Sequence, residues 1–376
     1  MQRIDHPLLS PSLGSHKTLT SFHFGKAGSG LKIYIQASLH AEELPGMLVA
    51  YHLRPLLEAA EAAGQVVGEV VLVPVSNPIG LSQRLDHKPM GRFELDSSEN
   101  FNRNYPDFAK AVLPALTDKL GADPAANVRM VRQAMAAHLA SLKPATELQS
   151  LRQTLLGLAF DADIVLDLHC DCEGVMHFYC EESCWPQLAP IAHFMGSQAI
   201  LLAKDSGGGP IDEALSGTWW RLAEALKHQG LDHPLPQGCC TTTIELRGEL
   251  DVTHAYAMQD ARSIFSYLEH LGVLATGNTP AVPAALCQPT PLAGSETLRA
   301  TGSGVVVYAA QPGQTMKTGE LVAEVINPLD GVAERVLAGV DGVFYARILN
   351  RYVTAGCEVG KIAGATPFRT GSLLGN

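Results

Sequence analysis

The stretch that most restricts the fold is DADIVLDLH, residues 161–169. Its centre is almost continuously apolar. A strand of that kind must be covered on both faces, which calls for helices above and below a sheet. Further runs read as strands: LKIYIQAS (31–38), EVVLVPVS (69–76), GVMHFYC (174–180) and CCTTTIELRGE (239–249). Helical stretches alternate with them. Residues 46–63, 187–204 and 211–228 look helical, and 254–272 is a helix ended by glycine. Residues 122–158 carry Ala, Leu, Met and Gln at helical frequency, and Pro144 divides them into two helices. The alternation predicts an α/β fold with a mostly parallel or mixed central sheet flanked by helices.

After residue 275 the composition shifts. Residues 276–294 form a Pro/Gly/Thr/Ala stretch that reads as a linker. Short β runs follow, among them GSGVVVYAA, ELVAEVIN and DGVFYARIL, punctuated by glycine and without a helical period. Two domains are therefore expected: an α/β domain over 1–275 and a small all-β domain over 289–367. A chain of 376 residues that is 46% hydrophobic can bury more than one core. Its net charge of -11 disfavours a sequence-independent grip on nucleic acid. The first eighteen residues lack a signal-peptide apolar stretch, and no uncharged apolar run reaches bilayer-spanning length, so no membrane association and a cytoplasmic location are expected. Eight cysteines are too few for a disulfide scaffold of this size. A structural zinc site from Cys170, Cys172, Cys180 and Cys184 is conceivable, but reduced thiols suit the spacing better.

Two apolar strands end in histidine, His40 and His169, and Glu43 follows His40 by three residues. Loops at the carboxyl ends of strands are where open α/β proteins place their sites. His40, Glu43 and His169 would form a two-histidine, one-carboxylate set that leaves a fourth position open on a zinc ion. Asp167 shares a strand face with His169 and could orient its ring; a loop carboxylate is the alternative. Glu245 sits inside an apolar β run, where an unpaired carboxylate is costly, and is the candidate general base. The alternative is a strand glutamate facing solvent beside Thr241 and Thr243. ENFNRNYPD (99–107) does not read as a core element. Arg103 could pair with a substrate carboxylate, Asn102 could hydrogen-bond it, and Arg92, with Arg84 as its rival, could polarise a carbonyl. Trp219, Trp220 and Tyr256 are either an apolar wall or core.

Four stretches, HAEE (40–43), NFNRNYP (100–106), DLH (167–169) and TIEL (243–246), together resemble the succinylglutamate desuccinylase/aspartoacylase branch of the zinc carboxypeptidase-like superfamily. The resemblance spans about residues 28–275. It implies one zinc ion, Zn(2+), per chain on His40, Glu43 and His169. It implies that Asn102 and Arg103 bind a substrate carboxylate, that Arg92 polarises the carbonyl and that Glu245 activates water. The β module looks like the lipoyl/biotinyl type of barrel-sandwich, without a modifiable lysine in a Met-Lys-Met setting. The expected activity is zinc-dependent hydrolysis of the amide of an N-acyl amino acid. A metallocarboxypeptidase acting on short peptides, an esterase, and a non-catalytic binding protein of the same fold remain as alternatives, and a homo-oligomer stays open.

Overall fold

The computed structural model describes residues 1–374. Its first strands are β1 (Gln2–Pro7), β2 (Thr18–Gly25), β3 (Lys32–Ala37) and β4 (Glu69–Val73). A two-strand hairpin follows, β5 (Arg84–Leu85) and β6 (Lys88–Pro89). Next come β7 (Ile164–Asp171), β8 (Glu173–Gly174), β9 (Met176–Glu181), β10 (Ala199–Ala203), β11 (Cys240–Gly248) and β12 (Thr290–Pro291). The helices are α1 (Pro45–Ala62), α2 (Pro78–Ser82), α3 (Phe108–Leu116), α4 (Pro124–Ser141), α5 (Glu147–Ala159), α6 (Trp185–Phe194), α7 (Ile211–His228) and α8 (His254–His270). None is long and apolar enough to cross a membrane.

The central sheet runs β1–β2–β4–β3–β7–β11–β9–β10–β12. β3, β7 and β11 are parallel neighbours, whereas β9 joins β11 antiparallel, so the sheet is mixed. Side-chain alternation feeds a core on each face. Ile33, Ile35 and Leu166 pack with α1, α6 and α8, while Tyr34 and Val165 pack with α3, α4, α5 and α7. Asp167 and His169 follow Val165 by twos and so share its face. Pro144 lies between α4 and α5, as its missing N–H requires.

One local expectation fails. Residues 187–204 are not one helix: α6 stops at Phe194, and AILLA forms β10 between β9 and β12. A short, fully buried apolar run has no period that separates strand from helix, and here sheet pairing decides. The N-terminal β1 and β2 add an antiparallel edge. β1 is largely exposed and polar, so no hydrophobic alternation announces it.

The C-terminal region is all-β: β13 (Ser295–Arg299), β14 (Gly304–Tyr308), β15 (Thr315–Met316), β16 (Leu321–Ile326), β17 (Ala333–Leu337), β18 (Gly342–Arg347), β19 (Tyr352–Val353) and β20 (Glu358–Gly364). Two sheets, β13–β20–β18–β15 and β17–β16–β14–β19, enclose a core that includes Leu298, Val322, Phe344 and Ile362. The backbone stitches this region to the α/β part: β8 pairs with β18, and β12 extends the central sheet at β10. Glu173 in β8 receives both Arg347 and Arg351.

Candidate active site

Ser38 turns the chain out of β3 with a left-handed φ of 59°, a strained conformation for a residue with a Cβ. Its hydroxyl donates to the Glu43 carbonyl at 2.6 Å, which folds the HAEE turn back on itself. His40 Nδ1 then lies 2.9 Å from Glu43 Oε1, and His169 Nδ1 lies 2.8 Å from Glu43 Oε2. All three residues are buried, and one donor atom from each falls within 4.8 Å of the others. Among the described residues this is the grouping able to hold a metal ion, and the cysteines take no part in it. All eight cysteines are free thiols.

The far side of each ring is also engaged. His40 Nε2 is 2.9 Å from Asn100 Oδ1, and His169 Nε2 is 3.0 Å from Asp167 Oδ2. The Asn100 acceptor at His40 Nε2 fixes the tautomer that leaves the His40 Nδ1 lone pair for a cation, whereas His169 and Asp167 form an ion pair without hydrogen-bond alignment. The charges point the same way. Burial and the Arg92 guanidinium hold His40 down to a pKa of about 4, hence neutral. Burial opposes charge on His169, but Asp167 and Glu43 outweigh it and hold its pKa well above the usual imidazole value. Burial would likewise protonate Glu43, yet His169 and His40 keep it anionic, well below the usual carboxylate range. The pocket thus already stabilises one positive charge at its centre, as a site for one dication should, and the donor set suits zinc.

Arg92 reaches this cluster from the loop before α3, with Nη1 3.0 Å from Glu43 Oε1. Gly91 makes that approach possible: a Cβ there would stand 2.6 Å from the Ala41 Cβ. Arg84 stays on the exposed β5–β6 hairpin, donating to the His87 carbonyl, and does not line the cavity. Asn102 is buried, and its Oδ1 accepts from the Ile211 amide at the start of α7. Arg103 lines the same cavity and donates from Nη1 to the Asn102 carbonyl.

Glu245 projects from β11, in register with His169 on β7. Thr241 and Thr243 share its face, as alternation requires, but that face is the cavity wall and not open solvent. Its Oε2 is buried without a hydrogen-bond partner among the described residues. Burial and the neighbouring Glu43 raise its pKa to about 8. The cavity holds about 510 Å³ and brings together His40, Glu43, Arg92, Asn102, Arg103 and His169, with Glu245. Trp219 is core, Trp220 lies under Lys204 and Arg221, and Tyr256 stacks with Arg247; none of the three lines it.

Several residues of the site carry no local mark in the sequence. Asn100 is one polar residue among several in ENFNRNYPD. Lys361 comes from β20 and donates to Asp171 Oδ2 at 2.7 Å, while Tyr345, Arg369 and Leu373 also line the cavity. Nothing local in the β module marks these residues, because only its docking onto β8 and β10 brings them there.

A model of the succinylglutamate desuccinylase/aspartoacylase catalytic domain matches residues 29–271. No curated protein sequence matches the chain. Among solved structures, a Shewanella amazonensis SB2B protein of the succinylglutamate desuccinylase/aspartoacylase family is 28% identical, with a TM-score of 0.82 over 96% of this chain and 98% of its own. A Shewanella frigidimarina NCIMB 400 protein given the same assignment is 26% identical, with a TM-score of 0.84 over 96% and 97%. The ectoine utilization protein EutE (DoeB) of Ruegeria pomeroyi shares the fold at 16% identity, with a TM-score of 0.65 over 97% and 94%. The buried His/His/Glu cluster is compatible with a zinc-dependent amide hydrolase, and with the match over residues 29–271 it leads to one conclusion: the chain belongs to the succinylglutamate desuccinylase/aspartoacylase family.

Proposed function

We propose that the chain is a zinc-dependent deacylase that hydrolyses the amide of an N-acyl amino acid. The observation that carries this reading is Glu245: a carboxylate with a raised pKa and an unpartnered oxygen, in the cavity that holds the His40–Glu43–His169 cluster. Bound by those three residues, a zinc ion supplies a Lewis acid for the carbonyl, acidifies a water and pulls the Glu245 pKa back toward neutrality. Glu245 takes the proton of the attacking water and delivers it to the departing nitrogen. Arg92, beside the cluster, stabilises the charge that develops on the carbonyl oxygen. Arg103, steadied by its bond to the Asn102 carbonyl, takes the carboxylate of the amino-acid half. The cavity, lined in part by Tyr345, Glu358 and Lys361 of the β module, holds about 510 Å³, a volume that suits an N-acyl amino acid.

The test is release of free amine from a panel of N-acyl amino acids and dipeptides by the zinc-loaded protein. Cleavage of the N-acyl amino acids is the expected result. Cleavage of dipeptides alone would establish a carboxypeptidase instead. A folded protein with one zinc per chain and no turnover of either class would sink the reading.

A further inference from the structure

The row of side chains on β11 continues past the base. Thr243 and Thr241 lie beyond Glu245 on the same face, each two-residue step covering about 6.6 Å. Both hydroxyls reach Asp212 on α7: Thr243 Oγ1 donates to Oδ2 at 3.2 Å, and Thr241 Oγ1 donates to the main-chain carbonyl at 3.0 Å. Glu213 and Glu181 complete this end of the cavity. Glu213 Oε1 accepts from the Ser206 amide at 2.6 Å, and Glu181 Oε2 accepts from Ser216 Oγ at 2.7 Å.

Acidic residues in the first turn of a helix are ordinarily explained by its dipole. That does not account for what is left over here. Asp212 Oδ1, Glu213 Oε2 and Ser206 Oγ are buried with no hydrogen-bond partner among the described residues. Glu213 is only 8% exposed and Ser206 3%, and all three residues line the cavity. Buried polar atoms are nearly always paired, so a set of acceptors left over at one end of a cavity calls for a donor from outside. Among the described residues Arg221 pairs with Asp205 and Lys204 with Glu224, and Arg103 lies within the field of Asp212 and Glu213. Burial and the neighbouring Asp212 push Glu213 up to about 7, and burial also raises Asp212 and Glu181. Gly208 keeps Arg103 in place beside this group: with φ of 81° it carries no Cβ, which would otherwise stand 2.8 Å from Arg103 Cδ.

We infer that Asp212, Glu213 and Ser206 form a subsite for the cationic side chain of the amino-acid half of the substrate, an ammonium or guanidinium carried on a few methylenes. The inference rests on the deacylase reading and names its substrate class: N-acyl derivatives of basic amino acids. With Arg103 on the α-carboxylate, the side chain extends along the Thr243–Thr241 row to the acids.

Nα-acetyl-L-lysine and N-acetyl-L-norleucine differ at the side-chain end by one ammonium, so kcat/KM for the pair reads the subsite. The lysine derivative should be favoured by about 10- to 100-fold, the worth of a hydrogen bond to a charged group. Asp212→Asn and Glu213→Gln should each lower the ratio by about threefold or more, as each removes one charged acceptor. Equal or better turnover of the norleucine or an N-acetyl-L-glutamate substrate would overturn the inference, as would a lysine preference that survives undiminished in both variants. If either variant fails to fold, the wild-type ratio alone decides. Calorimetric binding of free L-lysine against L-norleucine to the zinc-loaded wild type needs no turnover. If no N-acyl amino acid is cleaved, the deacylase reading falls, while tighter lysine binding still upholds the subsite and equal binding removes it.

Discussion

Glu43 and Glu245 share one cavity and differ in ionisation, Glu43 held as the anion and Glu245 as the neutral acid up to about pH 8. Glu43, on the turn after β3, receives His40, His169, Arg92 and the Cys170 amide, and it stays anionic despite burial. Glu245, on the neighbouring sheet position of β11, has an oxygen with no donor and holds its proton up to a pKa of about 8. Burial pushes both carboxylates the same way, so the number of donors decides between them. Within one cavity, the donor-rich carboxylate therefore suits a cation and the donor-poor one beside it suits a proton.

The sharpest break in that comparison comes from the cation site. In His169→Ala, metal bound after zinc loading should fall from about one equivalent per chain to near none, and hydrolysis to background, because a three-residue site loses a ligand. Equal, stoichiometric metal in the variant and the wild type would show that the ligand set is different.

Glu245→Gln breaks the proton site alone. It keeps the side-chain volume and should keep the zinc, while kcat falls by roughly 10²- to 10⁴-fold and KM moves far less. A folded, zinc-loaded variant with near-normal kcat would remove Glu245 as the base.

A smaller effect is expected at Asn100, which touches the cation site only through His40. Asn100→Ala frees the His40 ring at Nε2 and should weaken zinc affinity by about 10- to 100-fold, as read by competition with a chelator. Unchanged affinity would mean that the Asn100 contact does not hold the ring.

The smallest effect is a pH dependence of the metal-free protein, and the two carboxylates give it opposite signs. Glu245 is raised from its ordinary 4.5 to about 8, so its contribution is complete below about pH 4.5 and is lost as the pH rises through about 8. Glu43 is lowered, so its contribution is present above about pH 4.5 and disappears as the solution is acidified. Chelator-treated wild type should lose more Tm between pH 5 and pH 8 than Glu245→Gln does. Parallel curves for the two proteins would contradict the raised value.

Much of this site can be read from sequence because its residues interrupt or closely follow apolar strands. An apolar run that stops at His40, another that stops at His169, and a glutamate inside TTTIELRGE are visible as departures from a hydrophobic pattern. Asn100 is less visible, because its role depends on a loop crossing back over His40. Lys361 and Leu373 are not visible at all, since a lysine on a short β-strand carries no mark of a cavity that only tertiary docking creates. The same limit hid β10: AILLA is a strand because β9 and β12 flank it, and its five residues hold too little period to say so.

The pairing of β8 with β18 also sets an order in time. Ribosomes deliver His40, Glu43, His169 and Glu245 well before Tyr345, Lys361 and Leu373, and domains begin to fold as they emerge. At about 5–20 residues per second, the interval from Glu245 to Leu374 is roughly 6 to 26 s. During it the nascent chain carries the His/His/Glu grouping and Glu245 but lacks the C-terminal residues that complete the cavity lining.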